Sequence, residues 1–491
     1  MSIRQWRAAA AIIASLVGSS FLFVAAAQDK AKPAAAAQDP PEQEPTEPSP
    51  PFGIIGTNGC SARACHGSLE AAKPKRGAAA DPQAISRTEY MTWVTKDKHA
   101  KAYLVLLNNQ SKTIARNLAK IDGLGEPKQP AHQDARCLAC HSVPSVSADG
   151  YAELAKDSRL RDGVSCESCH GPASKWLAEH TSKSWRDRSA TEKYEKYDMN
   201  DTESLAGRAK VCAGCHVGAP ADPDRGFAAR DAFHDIMAAG HPRLNFEFSN
   251  FLASMPPHWT EHWSEKNQEK GFDARVWAIG QVAAAQQALR LLEGRAKAAL
   301  ADKAPWPEFA EYDCLACHHD LREPSWIQTE RRYGKRTPGA LPWGTWYLTM
   351  LKSLPAASEG KGKALVEQLE SLEKLMSQPY PDPKTAADSA RQAAFALDDW
   401  AANGGIADFS SQSLERLIKD WVKASQQPER LDWDAATQLY LALVAINQTV
   451  GNAQVRTSLD VLFEQLRKPL RDYEPEKFRE ELEKLQKQLG Q

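Results

Sequence analysis

The stretch Gly163-Val164-Ser165-Cys166-Glu167-Ser168-Cys169-His170-Gly171-Pro172 sets two cysteines either side of a two-residue gap and follows the second with histidine. The same C-x-x-C-H order returns at Cys137 to His141, Cys212 to His216 and Cys314 to His318. Eight of the ten cysteines are used in this way. With this content of Cys and His, chance supplies far fewer than one such motif, so the repetition needs a chemical reason.

Two thiols at this spacing lie on one helical turn. They can reach the two vinyl groups on one edge of a porphyrin, and a histidine directly after them falls under the metal. Other readings of paired cysteines explain less. A zinc ribbon also uses C-x-x-C units but does not require His after each one. A thioredoxin-like redox pair usually occurs once, at a strand–helix junction. Disulfides suit an exported chain but leave the histidines unexplained. The expectation is covalent haem c, attached through Cys137, Cys140, Cys166, Cys169, Cys212, Cys215, Cys314 and Cys317, with His141, His170, His216 and His318 as proximal iron ligands.

Cys60 and Cys65 remain, in Gly59-Cys60-Ser61-Ala62-Arg63-Ala64-Cys65-His66-Gly67. The order is the same, with four residues in the gap. Two extra residues can bulge outward while the thiols keep their positions, so a fifth haem is expected with His66 beneath it. The rival is a Cys60–Cys65 disulfide with an incidental histidine, which would leave four haems.

Of 13 histidines, eight are not proximal: His99, His132, His180, His234, His241, His258, His262 and His319. None lies after position 319. A lone histidine is ordinarily a surface or satisfied core residue, but eight confined to the motif-bearing part are better explained as sixth ligands. Five bis-His haems would use five and leave three. Methionine is scarce, at 7 residues, and histidine in its place keeps the potential low. His319 cannot bind the same iron as His318. It could reach an adjacent haem, support another ligand or face solvent.

The order of motifs resembles the cytochrome c-554 family of exported multihaem cytochromes. The resemblance runs from about Cys60 to His216. It is carried by the first motif, Trp93 followed by His99-Ala100-Lys101-Ala102, the Cys137 motif, the Gly163 to Pro172 run with His180 ten residues after His170, and the Cys212 motif. It implies four haems in closely packed pairs. It implies that His180 reaches the iron of the first motif and that His99 serves that of the fourth. The third motif's haem would take a ligand from downstream, with His241 in Ala239-Gly240-His241-Pro242-Arg243-Leu244 as the candidate. The second motif's haem would be five-coordinate. The chain departs from the family in its widened first motif, its fifth motif and its long C-terminal region, and a spare histidine could close the open site. A pentahaem nitrite reductase would carry Lys for His in one motif, which none does. An octahaem hydroxylamine oxidoreductase needs more motifs.

The rest of the chain frames these sites. It has 491 residues, 42% apolar and 25% charged, with a formal net charge of −2. That is globular composition without a field for nucleic acid or anionic lipid. Arg4 and Arg7 precede an apolar run from Ala8 to Ala27, interrupted at Gly18-Ser19-Ser20 and ending in three alanines. This reads as a cleaved secretory signal, 1–27, with an uncleaved anchor as the rival and the only route to membrane contact. Residues 28–51 are rich in Ala, Pro, Gln and Glu and read as a flexible linker. Residues 52–338 form the expected pentahaem domain, with helices clearest over Thr88–Leu107 and Asp273–Leu300.

From 339 to 491 there is neither Cys nor His. Apolar residues recur at helical spacing in Leu365-Val366-Leu369-Leu372-Leu375, Ala393-Ala394-Leu397-Trp400, Leu414-Leu417-Ile418-Trp421, Leu439-Tyr440-Leu443-Val444-Ile446 and Leu459-Leu462-Phe463-Leu466, before a charged helix at about 475–489. The expected fold class is mainly α, an irregular haem-packed core followed by a C-terminal helical bundle. The leading function is an exported, periplasmic-type electron carrier with five haem c groups. Its partners would be redox proteins, either other cytochromes or a membrane quinone-linked complex. A haem enzyme acting on NO or hydroxylamine at an open iron, and a filament-forming cytochrome, are the alternatives. No cluster suggests acid/base or nucleophilic catalysis.

Overall fold

The computed structural model describes residues 53–71, 86–143, 150–151, 158–224, 227–259, 271–319, 340–354, 362–406, 411–426 and 431–489. The expected signal, the linker and the 338/339 boundary lie outside them. The chain is mainly α, as its patterning predicts. Among the described residues there is no β-strand, only isolated bridges at Ala219–Arg230, Asp222–Phe227 and Tyr312–Trp343.

Three of the C-x-x-C-H motifs close short helices: Ala135–His141, Cys166–His170 and Leu205–His216. Each starts at a residue suited to satisfy the free N–H groups of a first turn. The Asp134 carboxylate accepts from Arg136 N–H, Ser165 forms a capping box with Ser168, and Ser204 accepts from Gly207 N–H. The fifth motif is a tighter turn, the 3₁₀ helix Cys314–Ala316, capped by Asp313. There His318 N–H donates to Cys314 C=O at 2.7 Å.

The widened first motif makes the same closure by another route. His66 N–H donates to Cys60 C=O at 3.3 Å, while Cys65 and Gly67 N–H both turn back to Ala62 C=O at 2.9 and 3.0 Å. Ala62, Arg63 and Ala64 stand exposed. The two extra residues form an outward bulge and leave the cysteine-to-histidine return intact.

The single helix expected over Thr88–Leu107 is instead broken. Helix Glu89–Lys96 ends where Asp97 turns extended (ψ 130°), and a 3₁₀ turn Lys98–Lys101 and helix Ala102–Val105 follow. The cause is local hydrogen bonding: Asp97 Oδ1 accepts both the backbone N–H of His99 at 3.0 Å and its ring Nδ1–H at 2.9 Å. An aspartate that caps the next turn competes with the helix it interrupts.

Helix Phe272–Leu300 joins the two parts of the fold. One face, with Trp277, Leu289 and Leu292, packs into the C-terminal core against Ala386, Ala390, Ala393 and Leu397 of helix Pro383–Trp400. The other face, with Val276, Ala283 and Ala284, meets Ala209 and Ala213 of the fourth motif's helix and Phe246 and Phe248. Small side chains let these helices approach closely, and a Cβ on Gly280 would lie 2.5 Å from Phe248. The remaining C-terminal helices, Lys363–Met376, Ser411–Ala424, Trp433–Val450, Ala453–Leu466 and Pro475–Leu489, follow the apolar spacings in the sequence. Their stripes (Leu369 and Leu372, Ile418 and Trp421, Leu439 and Leu443, Leu459 and Leu462, Phe478 and Leu482) fill one core. Each fully buried leucine contributes about 1.5–3 kcal/mol from lost apolar surface.

Candidate haem-ligating site

Four of the five candidate proximal histidines face another histidine across gaps of one size. His66 and His180 have ring centres 6.4 Å apart, His99 and His216 6.0 Å, His141 and His241 6.4 Å, and His234 and His318 6.2 Å. Two metal–imidazole bonds of about 2 Å, with about 1.1 Å from each nitrogen to its ring centre, place axial rings about 6.2 Å apart. Direct ring stacking would bring the centres closer. The spacing therefore fits a metal between each pair.

The hydrogen bonds settle which ring nitrogen is available. Nδ1 of His141 lies 3.0 Å from Ala102 C=O, that of His180 2.5 Å from Leu177 C=O, and that of His241 2.8 Å from Pro242 C=O. A carbonyl oxygen only accepts, so the proton sits on Nδ1 and Nε2 keeps its lone pair for a metal. At His66 and His99 the acceptors are the carboxylates of Glu89, at 3.1 Å, and Asp97. Each raises its imidazole's pKa from the ordinary value, chiefly through that hydrogen bond. Outer partners of this kind orient the ring and make it a stronger donor to a metal. His170 and His216 are held neutral: burial pushes both down to about 4.

None of the ten cysteines is joined in a disulfide. The Cys60 thiol lies close to that of Cys166, and the Cys140 thiol close to that of Cys215. Cys169 interacts electrostatically with Cys212 and Cys215. The motifs are thus neighbours in the order first, third, fourth, second, which is not their order in the sequence.

His180 and His99 stand where the resemblance puts them, opposite the proximal histidines of the first and fourth motifs. His241 does not: it faces His141 of the second motif, not His170 of the third. The position expected to stay open therefore has an imidazole across from it. No imidazole ring faces His170 at this spacing among the described residues. His258 lies within its electrostatic reach, and His170 Nδ1 is 3.2 Å from Thr202 Oγ1. None of the four facing pairs includes His319. The ring opposite His318 is that of His234, which nothing local in Phe233-His234-Asp235 distinguishes from the other spare histidines.

Comparison with known proteins bears on the same residues. The family model described as cytochrome c554 and c-prime matches residues 84–171, which hold His99 and the second and third motifs. The chain is similar to cytochrome c-554 of Nitrosomonas europaea, 28% identical over 131 residues, which is 27% of this chain and 53% of that protein. The match spans about half the length of this relative. No solved structure matches the chain. Over residues 84–171, with the second and third motifs and His99 in order, the chain is thus similar to the cytochrome c-554 family of c-type cytochromes, a likeness that supports covalently bound haem c.

Proposed function

We propose that the protein is an exported electron carrier with five covalent haem c groups, held by the cysteines of the five motifs and by His66, His141, His170, His216 and His318. His180, His99 and His241 are the sixth ligands for the first, fourth and second motifs. Haem c supplies a one-electron iron couple. The protein's own histidines would hold the irons of the first, fourth and second motifs from both sides, and the motifs lie next to one another.

The observation that carries this reading is His241 facing His141 at 6.4 Å with its proton on Nδ1. An iron with imidazole on both sides has no vacancy for a small molecule, which favours electron transfer over chemistry on a substrate. Electron paramagnetic resonance of the oxidised protein tests it, together with carbon monoxide titration of the reduced protein. Low-spin iron at the first, second and fourth motifs and no carbon monoxide uptake there are expected. Carbon monoxide uptake at the second motif, lost on removing that motif, would overturn it.

One observation favours a second reading: His170 has no imidazole facing it at ligand spacing among the described residues. An enzyme site for a small nitrogen species would then lie at the third motif, beside Arg208 and His258. One high-spin iron that binds NO, lost when Cys166 and Cys169 are replaced, would select it.

The apolar run at 8–27 directs export, residues 52–338 carry the haems and residues 339–491 form a helical cover. N-terminal sequencing of the protein recovered from the periplasm, starting just after Ala27, is the expected result. Its redox partners are proteins, other cytochromes or a quinone-linked membrane complex.

A further inference from the structure

The fifth motif lies outside the part that matches the cytochrome c-554 family, and nothing in that family supplies its second ligand. The geometry does. His234 opens the short helix His234–Ala238, and its ring lies opposite that of His318 at 6.2 Å and 28°. This inference rests on reading Cys314 to His318 as a haem site.

Two largely buried anchors bring these histidines together over 84 residues of sequence. The first is Arg295 on helix Phe272–Leu300. Its guanidinium donates to both Asp231 oxygens, at 3.0 and 2.5 Å, and to Glu311 Oε1 at 2.7 Å. Asp231 stands three residues before His234, and Glu311 three residues before Cys314. One arginine therefore fixes the approach of both segments. The second anchor is Glu308, which accepts the backbone N–H of His234 at 2.8 Å and that of Ala310 at 2.9 Å. Phe309 then packs edge-on against the His234 ring. Such positioning is what a metal site needs from the residues around its ligands.

The same short segment also serves the second motif. After Ala238 the chain turns at Gly240 (φ +119°), where His241 N–H donates to Ile236 C=O at 3.1 Å, and His241 is delivered to His141. His234 and His241 thus leave the two ends of one turn toward two different motifs. Two electrostatic interactions also link those motifs. Asp231 interacts with Cys140 of the second motif, and Arg243, two residues past His241, with Cys314 of the fifth.

We infer that His234 is the sixth ligand of the fifth haem iron, and that the segment His234–His241 carries one ligand for each of two irons and fixes the fifth site beside the second-motif end of the cluster. The sites then run first, third, fourth, second, fifth. Arg295 is a positioning residue in this arrangement.

The test replaces His234 in the full-length, haem-loaded protein. With His234→Ala, intact mass stays at five haems, one low-spin signal converts to high-spin, and the reduced protein gains one equivalent of carbon monoxide binding. His319→Ala does neither. His234→Met, which keeps a sixth ligand, leaves that iron low-spin and raises the midpoint potential of one haem in a redox titration. An unchanged spectrum in His234→Ala, or the high-spin change appearing in His319→Ala instead, overturns the assignment. An intact mass showing Cys314 and Cys317 unmodified in the parent protein overturns the motif reading and this inference with it. Four haems with Cys60 and Cys65 unmodified would overturn only the first site.

Discussion

Glu167 holds the loop that leads into the first motif, 111 residues before it: one carboxylate oxygen accepts Gly56 N–H at 2.7 Å, the other Ile55 N–H at 2.9 Å and Ala173 N–H at 2.8 Å. Glu167 sits between the cysteines of the third motif and is almost fully buried. Burial raises its pKa and the three backbone donors oppose that rise. Glu167→Ala strands three N–H groups away from water, each costing about 1–3 kcal/mol. The expected result is a loss of about 3 kcal/mol or more, read as a lower denaturation midpoint. Glu167→Gln retains one acceptor oxygen and should recover part of it. A stable alanine variant would show that the loop holds itself.

The first motif should carry a haem despite its widened gap, because its bulge leaves the Cys60-to-His66 return bond in place. Intact mass of the protein should give five haems, and Cys60→Ala with Cys65→Ala should give four. Five haems in that double variant would sink the assignment, as would a Cys60–Cys65 disulfide in the parent.

Ring orientation predicts the shape of the low-spin spectrum. The planes are near parallel at His66–His180 (17°) and His234–His318 (28°), and near perpendicular at His99–His216 (73°) and His141–His241 (88°). Parallel imidazoles split the two iron d orbitals that overlap with them and give a rhombic signal. Perpendicular imidazoles leave those orbitals close in energy and give a strongly anisotropic one. Both classes should be present in the oxidised protein. His241→Ala should remove one strongly anisotropic signal and no rhombic one. Loss of a rhombic signal in that variant would mean that His241 serves another iron.

Arg243 joins the motif-bearing part to the C-terminal bundle. Its guanidinium lies 2.8 Å from Asp434, which also accepts from Thr345 Oγ1 at 2.7 Å. Asp434 is buried, so removing its charge leaves Arg243 with a poorly compensated cation. Asp434→Ala should cost about 3 kcal/mol in chemical denaturation, with haem content unchanged. A loss below about 0.5 kcal/mol would show the pair to be no stronger than an exposed one.

Gly171 adopts φ +87°, and a Cβ there would meet Asp198 C=O at 2.1 Å. Gly171→Ala should therefore destabilise the exit from the third motif by about 1–3 kcal/mol, measured as a fall in Tm.

The sequence by itself determined the family likeness and most of the local elements. Cys-x-x-C-H spacing marks candidate attachment residues, because that chemistry would depend on neighbours within one helical turn. The apolar period drew the C-terminal helices for the same local reason. The break at Asp97 was less legible, since it depends on a side chain choosing a backbone partner over the helix.

Only the tertiary structure decided which histidine faces which. His180, ten residues past His170, was placed by resemblance. His241 went to His141, and His234 emerged opposite His318 because Arg295 and Glu308 draw distant segments together. A ligand pair is fixed by where two rings end up in space. The residues that put them there, Asp231, Arg295, Glu308 and Glu311, are scattered along the chain with no spacing that marks them as a set.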